Sequence, residues 1–75
     1  MGWQVFVETQ LDLLAQWVYG PGSLWLVGKP DTESWYFWAV TDADGNALTF
    51  RNGYNTALDA QWSLYRTLCR EARVH

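Results

Sequence analysis

The chain carries more large aromatic side chains than a domain of its size can easily bury. Six tryptophans, four tyrosines and three phenylalanines are spread along 75 residues. A chain this short folds as one domain and shields a modest fraction of its surface, so its core has room for only some of these rings. We therefore expect part of the aromatic surface to stay exposed, where it binds another molecule or a second copy of the chain.

Turn signals divide the middle of the chain into strands. Residues 35–41 are the clearest strand, because aromatic and β-branched residues follow one another without interruption. Asp44 and Gly45 then predict a hairpin turn, since both residue types tolerate a positive φ angle. The return strand is predicted over residues 47–51, and a short apolar strand is predicted over residues 23–28.

The C-terminal quarter of the chain has the pattern of a long amphipathic helix. Thr56 is a candidate N-cap, with Asp59 three residues later as in a capping box. Apolar residues then recur at helical spacing, and arginines near the end suit the negative pole of a helix dipole. The apolar stripe comprises Leu58, Gln61/Trp62, Tyr65, Leu68/Cys69 and Ala72.

The sequence pattern of the N-terminal segment allows both helix and strand. Alternation over residues 3–7 predicts a strand. Residues 9–19 have helical spacing, with Thr9 as an N-cap and Gly20 as a stop, although a strand over residues 13–19 is the alternative. The fold class expected is α+β: one domain over residues 1–75, in which an antiparallel meander of three or four strands packs against a long C-terminal helix.

The strand over residues 35–41 is apolar on both sides, which is unusual for a two-layer domain. One row of side chains is Tyr36, Trp38 and Val40, and the other is Trp35, Phe37 and Ala39. An antiparallel sheet covered by helices on one face usually carries polar residues on the other. Either the two helices cover one face each, or one face binds a partner. For the second case the anchors predicted are Tyr36, Trp38 and Trp25.

Charge is unevenly placed along the chain. Residues 1–50 hold six acids against one lysine, a sum of −5, whereas residues 51–75 hold four arginines against two acids, a sum of +2. The acidic excess argues against nucleic acid as the main partner and favours a protein with a basic surface. The acids predicted to meet that surface are Asp31, Glu33, Asp42 and Asp44, which fall in turns at opposite ends of the sheet.

Motifs for catalysis and for cofactor or metal binding are weak. Asp42, Asp44 and Asn46 have the spacing that opens a calcium loop, but the glycine and the closing acid of that loop are missing. Cys69 is expected to be a small buried hydrophobe, and its solitary state fits a reducing cytoplasm. His75, the single histidine, stands last in the sequence. We therefore expect no enzyme activity, no cofactor and no membrane span, and a cytoplasmic location.

Two resemblances concern the fold. The order helix, three strands, helix resembles double-stranded-RNA-binding domains, although the basic loop and the basic start of the last helix are absent here. Residues 37–72 resemble the small YegP-like domain of unknown function. The residues that carry this resemblance are Phe37, Val40, Asp44-Gly45-Asn46, Gly53-Tyr54-x-Thr56, Ala57 and Ala60. The resemblance implies a short meander followed by a helix, and it implies no known activity.

The function expected is a non-enzymatic protein-binding module that acts as an inhibitor or adaptor. At the level of class, the chain is similar to small phage anti-defence proteins of the anti-CRISPR type, which occlude a basic surface of their target. One alternative is binding of single-stranded nucleic acid to an aromatic sheet face, with the arginines along one edge. A second alternative is a homodimer whose aromatic faces cover each other.

Overall fold

The computed structural model describes residues 3–74 as five elements in the order helix, three strands, helix. Helix α1 spans Trp3–Tyr19, strands β1, β2 and β3 span Leu24–Gly28, Tyr36–Thr41 and Ala47–Tyr54, and helix α2 spans Ala57–Arg73. The strands form one antiparallel sheet in the order β1-β2-β3. The predicted α+β class, with a meander packed against a long C-terminal helix, is confirmed.

Helix α1 begins earlier than the sequence predicted, and the strand predicted over residues 3–7 is wrong. Helical spacing puts Val7, Leu11 and Ala15 on one buried stripe, and this burial outweighs the alternation of the first residues. Thr9, the predicted N-cap, lies inside the helix, where its hydroxyl donates to the Val5 carbonyl at 2.9 Å. The helix predicted over residues 9–19 is confirmed as part of α1.

Glycine ends α1 and shapes the turns of the meander. Gly20 has a φ angle of +102° and its N–H still donates to the Gln16 carbonyl at 2.9 Å, which closes the last turn of the helix. Gly45 has a φ angle of +87° in the β2–β3 turn, as its sequence context predicted. Strand β3 runs past the predicted end at residue 51, because Gly53 forms an irregularity that lets Tyr54 pair with Tyr36.

Helix α2 starts as the capping pattern predicted. The Thr56 hydroxyl accepts a hydrogen bond from the Asp59 N–H at 3.0 Å. Ala60, Leu64 and Leu68 then fall on one side of the helix and are fully buried. This apolar side directs α2 onto the sheet.

Both helices pack on the same face of the sheet. Helix α2 contacts all three strands, and α1 lies beside α2 and contacts β1. We call this covered side the inner sheet face; it carries Trp25, Val27, Tyr36, Trp38 and Val40, which lie in or against the core cluster. The alternative in which the helices cover one face each is therefore wrong.

A small polar network joins the inner sheet face to α2. The indole N–H of Trp38 donates to the Tyr54 hydroxyl at 3.1 Å and lies 3.4 Å from the Ser63 hydroxyl. The Tyr54 and Ser63 hydroxyls are 2.6 Å apart. Because Trp38 is only 1% exposed, these partners remove the cost of burying its N–H group.

Candidate functional site

The side of the sheet away from the helices is apolar and exposed. We call it the outer sheet face. It is made by Leu24 and Leu26 of β1, Phe37 and Ala39 of β2, and Phe50 of β3. The strand register sets Leu26, Ala39 and Phe50 in one row across the sheet, so these side chains share a face.

The outer sheet face is a continuous surface rather than a set of isolated residues. The rings of Phe37 and Phe50 lie side by side, with centroids 5.6 Å apart and planes tilted by 35°. Gly28 has no side chain, and the Phe37 ring lies 3.4 Å from the point where a Cβ atom would be. The ring therefore lies low across the end of β1, while Asn52 of β3 is its neighbour on the other side.

The exposure of this face is large for a small domain. Leu24 is 62% exposed, Leu26 is 50% exposed and Phe50 is 51% exposed. Together with the half-buried Phe37, they form an apolar patch on the order of a few hundred Å², a size that in monomeric proteins often marks a binding surface. Solvated sheet faces ordinarily carry polar residues at these alternate positions.

Acidic turns lie at both ends of the sheet. The loop between β1 and β2 carries Asp31 and Glu33, and the turn between β2 and β3 carries Asp42 and Asp44. Because neighbouring strands are antiparallel, these two connections are at opposite ends. The sequence placed the two acidic pairs in the same way.

The four acids are not equivalent. The Asp42 carboxylate accepts hydrogen bonds from the backbone N–H groups of Asp44 and Asn46, both at 2.9 Å, so it holds the turn together. The bond from the Asn46 backbone N–H holds the pKa of Asp42 below its ordinary value. Glu33 accepts from the indole N–H of Trp35 at 3.1 Å. Asp31 and Asp44 are exposed, and they are the acids whose carboxylates are best placed to meet a partner.

The aromatic anchors predicted from the sequence lie on the covered side. Trp38 is in the core, so its predicted contact with a partner is wrong. Tyr36 is half-buried and packs against the same core. Trp25 is half-buried and its indole N–H donates to the Asp12 carboxylate of α1 at 2.5 Å, which ties β1 to the helix.

Sequence reasoning separated the two rows of side chains correctly but assigned the exposed role to the wrong row. The residues it missed are Leu24, Leu26 and Phe50, and Phe37 was placed in the other row without a role. The residues of β1 and β2 do not mark which row the helices cover, because both rows of these two strands are apolar. The packing of α1 and α2 decides it, and the first turns of α1 were predicted as a strand.

Two tryptophans on the helices also stay exposed. Trp17 of α1 is 69% exposed and Trp62 of α2 is 47% exposed. The expectation that the domain cannot bury all of its indoles is therefore confirmed, although among the side chains that the structure describes the exposed indoles are on the helices and not on the sheet.

Cys69 and the carboxylates do not assemble a metal-binding cluster in the described part of the chain. Cys69 is half-buried on α2, and its thiol bonds to the Tyr65 hydroxyl, which raises the pKa of that phenol above its ordinary value. Within residues 3–74, histidine, cysteine and acidic side chains nowhere come together in a group of three that could hold a metal ion. His75 lies outside the described residues.

Neither helix of the described chain combines the length and the apolar character that crossing a bilayer requires. Comparison with protein-family models, with curated proteins and with solved structures finds no match to this chain.

Proposed function

We propose that this chain is a non-enzymatic protein-binding module that acts as an inhibitor or adaptor and binds its partner through the outer sheet face. One observation carries the proposal: both helices pack on the inner sheet face and leave Leu24, Leu26 and Phe50 exposed on the other. Burying half-exposed apolar side chains stabilises a complex, and a Phe pair is a suitable anchor at the centre of an interface.

Charge favours a basic partner over a second copy of the chain. If two copies stacked their outer sheet faces with strands aligned, an acidic turn of one copy would lie over an acidic turn of the other, whichever way the strands ran. Like charges set against each other across an interface cost affinity. A partner with an apolar centre and Lys or Arg at both ends matches the surface instead.

The mechanism is steric and electrostatic. Asp31 and Asp44 steer the basic partner and pair with it at the rim, while Phe37 and Phe50 make the dry centre. A target that uses the same basic surface to hold nucleic acid is inhibited by such occlusion. The anti-CRISPR type of activity is one case of this mechanism and stays a prediction.

Two exposed leucines give a matched test. Leu24 on the outer sheet face and Leu13 on α1 are 62% and 59% exposed, so replacing either with Gln removes a similar amount of exposed apolar surface. The tagged chain, Leu24→Gln and Leu13→Gln are each incubated with lysate of the native host cell and washed at moderate salt. Retained proteins are identified by mass spectrometry.

We expect a basic protein that is retained by the unmodified chain and by Leu13→Gln and is lost with Leu24→Gln. The purified protein is then titrated directly to obtain its Kd for each variant. Equal retention by all variants contradicts the proposal. Sedimentation equilibrium separates the homodimer alternative: a concentration-dependent dimer that Leu24→Gln dissociates would assign the outer sheet face to self-association.

A further inference from the structure

The side of α2 that points away from the sheet carries aromatic and basic side chains. Its residues follow one another at helical spacing, opposite the buried Leu64 and Leu68. They line a groove of about 540 Å³, which we call the α2 groove. The lining residues are Trp62, Tyr65, Arg66, Cys69, Arg70 and Arg73.

Flat rings form one end of the α2 groove. Trp62 and Tyr65 are stacked, with ring centroids 5.7 Å apart and planes within 21° of each other. Trp62 is nearly half exposed, whereas Tyr65 is partly buried against the core. The stack therefore holds the indole in place and leaves surface free for another flat group to pack on.

Guanidinium groups continue the groove toward the C-terminus. Arg66, Arg70 and Arg73 lie on the same side of α2, and all three are exposed. At a rise of about 1.5 Å per residue they follow each other at roughly 6 and 4.5 Å along the axis, so they form one continuous row of positive charge. A second hollow of about 320 Å³ is lined by Trp62, Arg66 and Arg70 together with Asp59 and Ser63.

We propose that the α2 groove binds single-stranded nucleic acid, with bases stacked on Trp62 and phosphates held by Arg66, Arg70 and Arg73. Adjacent exposed aromatic and cationic groups are the two elements that single strands need, and stacking requires no particular base sequence. An acidic peptide would satisfy the arginines but would not use the indole face. The groove lies on the helix layer, away from the outer sheet face, so this proposal is independent of the protein-binding function.

The negative net charge of the chain does not exclude this site, because the charges are separated in space. The acids of residues 1–50 sum with Lys29 to −5, whereas α2 holds Arg66, Arg70 and Arg73 against Asp59 and Glu71, a sum of +1. Asp31, Glu33, Asp42 and Asp44 lie in turns at the ends of the sheet. The sequence-based argument against nucleic acid considered the charge of the whole chain and not that of one helix face.

The test is a titration of a fluorescein-labelled thymidine oligonucleotide of about twelve nucleotides, a length within the usual footprint of such sites. Anisotropy is followed from low to moderate salt. We expect the logarithm of the association constant to fall linearly with the logarithm of the salt concentration. The slope should be about −2, as three phosphate contacts on a single strand predict. Trp62→Ala should weaken binding roughly 5- to 150-fold, and Trp62→Phe, which keeps a flat ring, should retain most of it.

Two arginine variants that each remove one positive charge distinguish binding in the α2 groove from attraction to the charge of the whole chain. Arg70→Gln should weaken binding and reduce the steepness of the salt slope by about 0.7. Arg51→Gln, which removes one charge from β3 outside the groove, should leave the slope unchanged. Circular dichroism melts check that each variant is folded, which we expect because the substituted positions are exposed.

Three results would overturn the proposal. The first is no anisotropy change up to roughly 100 μM protein at low salt, a range that covers weak nonspecific binding. The second is equal weakening by Arg51→Gln and Arg70→Gln. The third is a polyglutamate peptide that binds as tightly as the oligonucleotide and is unaffected by Trp62→Ala, which would assign the groove to acidic protein segments. Leu24→Gln should bind the oligonucleotide normally, so failure here is distinct from failure of the protein-binding proposal.

Discussion

The two faces of the sheet both carry large apolar side chains, but the helices cover one face and leave the other exposed. The inner sheet face carries Trp25 and Trp38, whose indole N–H groups find partners on Asp12 and on Tyr54 and Ser63. The outer sheet face carries Leu and Phe side chains, which have no polar atoms and need no partner when a second surface covers them. Burial in this domain therefore depends on where the helices pack, and hydrophobicity alone does not distinguish the covered face from the exposed one.

The largest expected difference between the faces is in stability. Trp38→Ala empties a fully buried site and should lower the free energy of unfolding by about 3–5 kcal/mol. Phe50→Ala, on the half-exposed outer sheet face, should lower it by about 1 kcal/mol. Urea unfolding followed by far-UV circular dichroism measures both. Similar losses for the two variants would mean that the outer sheet face is covered within the monomer.

A second pair of variants compares two strand positions on opposite faces. Val40→Thr keeps the shape of a fully buried side chain but buries a hydroxyl group, which should cost about 1–3 kcal/mol of unfolding free energy. Leu26→Thr puts the same hydroxyl on an exposed position and should cost less than about 1 kcal/mol. The two unfolding free energies are compared through their urea midpoints, with the same dependence of free energy on urea concentration used for both variants. A larger cost for Leu26→Thr would reverse the assignment of the faces.

The polar network of the inner sheet face can be tested by removing one oxygen atom. Tyr54→Phe deletes the hydroxyl that accepts from the Trp38 indole and contacts Ser63, and should lower the unfolding free energy by about 1 kcal/mol. Tyr36→Phe is the matched control, because Tyr36 pairs with Tyr54 across the strands and its hydroxyl takes no part in this network. Equal effects of the two variants would show that the network adds nothing to stability.

The smallest expected effect concerns pH at the β2–β3 turn. The pKa of Asp42 is lower in the folded chain than its ordinary value of 3.8, so its stabilisation is present above that value and is lost as pH falls through the folded pKa. Asp42→Asn keeps a side-chain acceptor but does not titrate. The gap in urea midpoint between the two proteins should narrow on acidification below about pH 4. A difference in urea midpoint that does not change with pH would show that ionisation of Asp42 does not stabilise the folded chain.

The parts of the fold that have local causes could be predicted from the sequence. Thr56 caps α2, and the Asp44-Gly45 pair turns β2 into β3, because each needs only its neighbours along the chain. The start of α1 could not be predicted in this way. Its first residues alternate as a strand does, and only the packing of Val7 and Leu11 against α2 makes the helix the better solution.

The sequence predicted that part of the aromatic surface stays exposed, but it did not predict which residues form the candidate site. Alternation along residues 35–41 showed two apolar rows and left open whether the helices cover both of them, and in the structure they cover one. The choice between the Trp38 row and the Phe37 row depends on long-range contacts of α1 and α2, which the strand does not encode. The α2 groove was missed for a related reason: Trp62 was assigned to the apolar stripe of the helix, although it lies on the opposite side from Leu64.

The most direct measurement is the solvent accessibility of individual methyl groups in the monomer. The chain is labelled with carbon-13 at Leu and Val methyl groups, sedimentation confirms the monomer, and a neutral soluble paramagnetic agent is added during NMR relaxation measurements. Leu24 and Leu26 should relax strongly, while Val40 and Leu64 should be protected, because the helices cover one face of the sheet only. Protection of Leu24 and Leu26 equal to that of Val40 in the monomer would contradict the account.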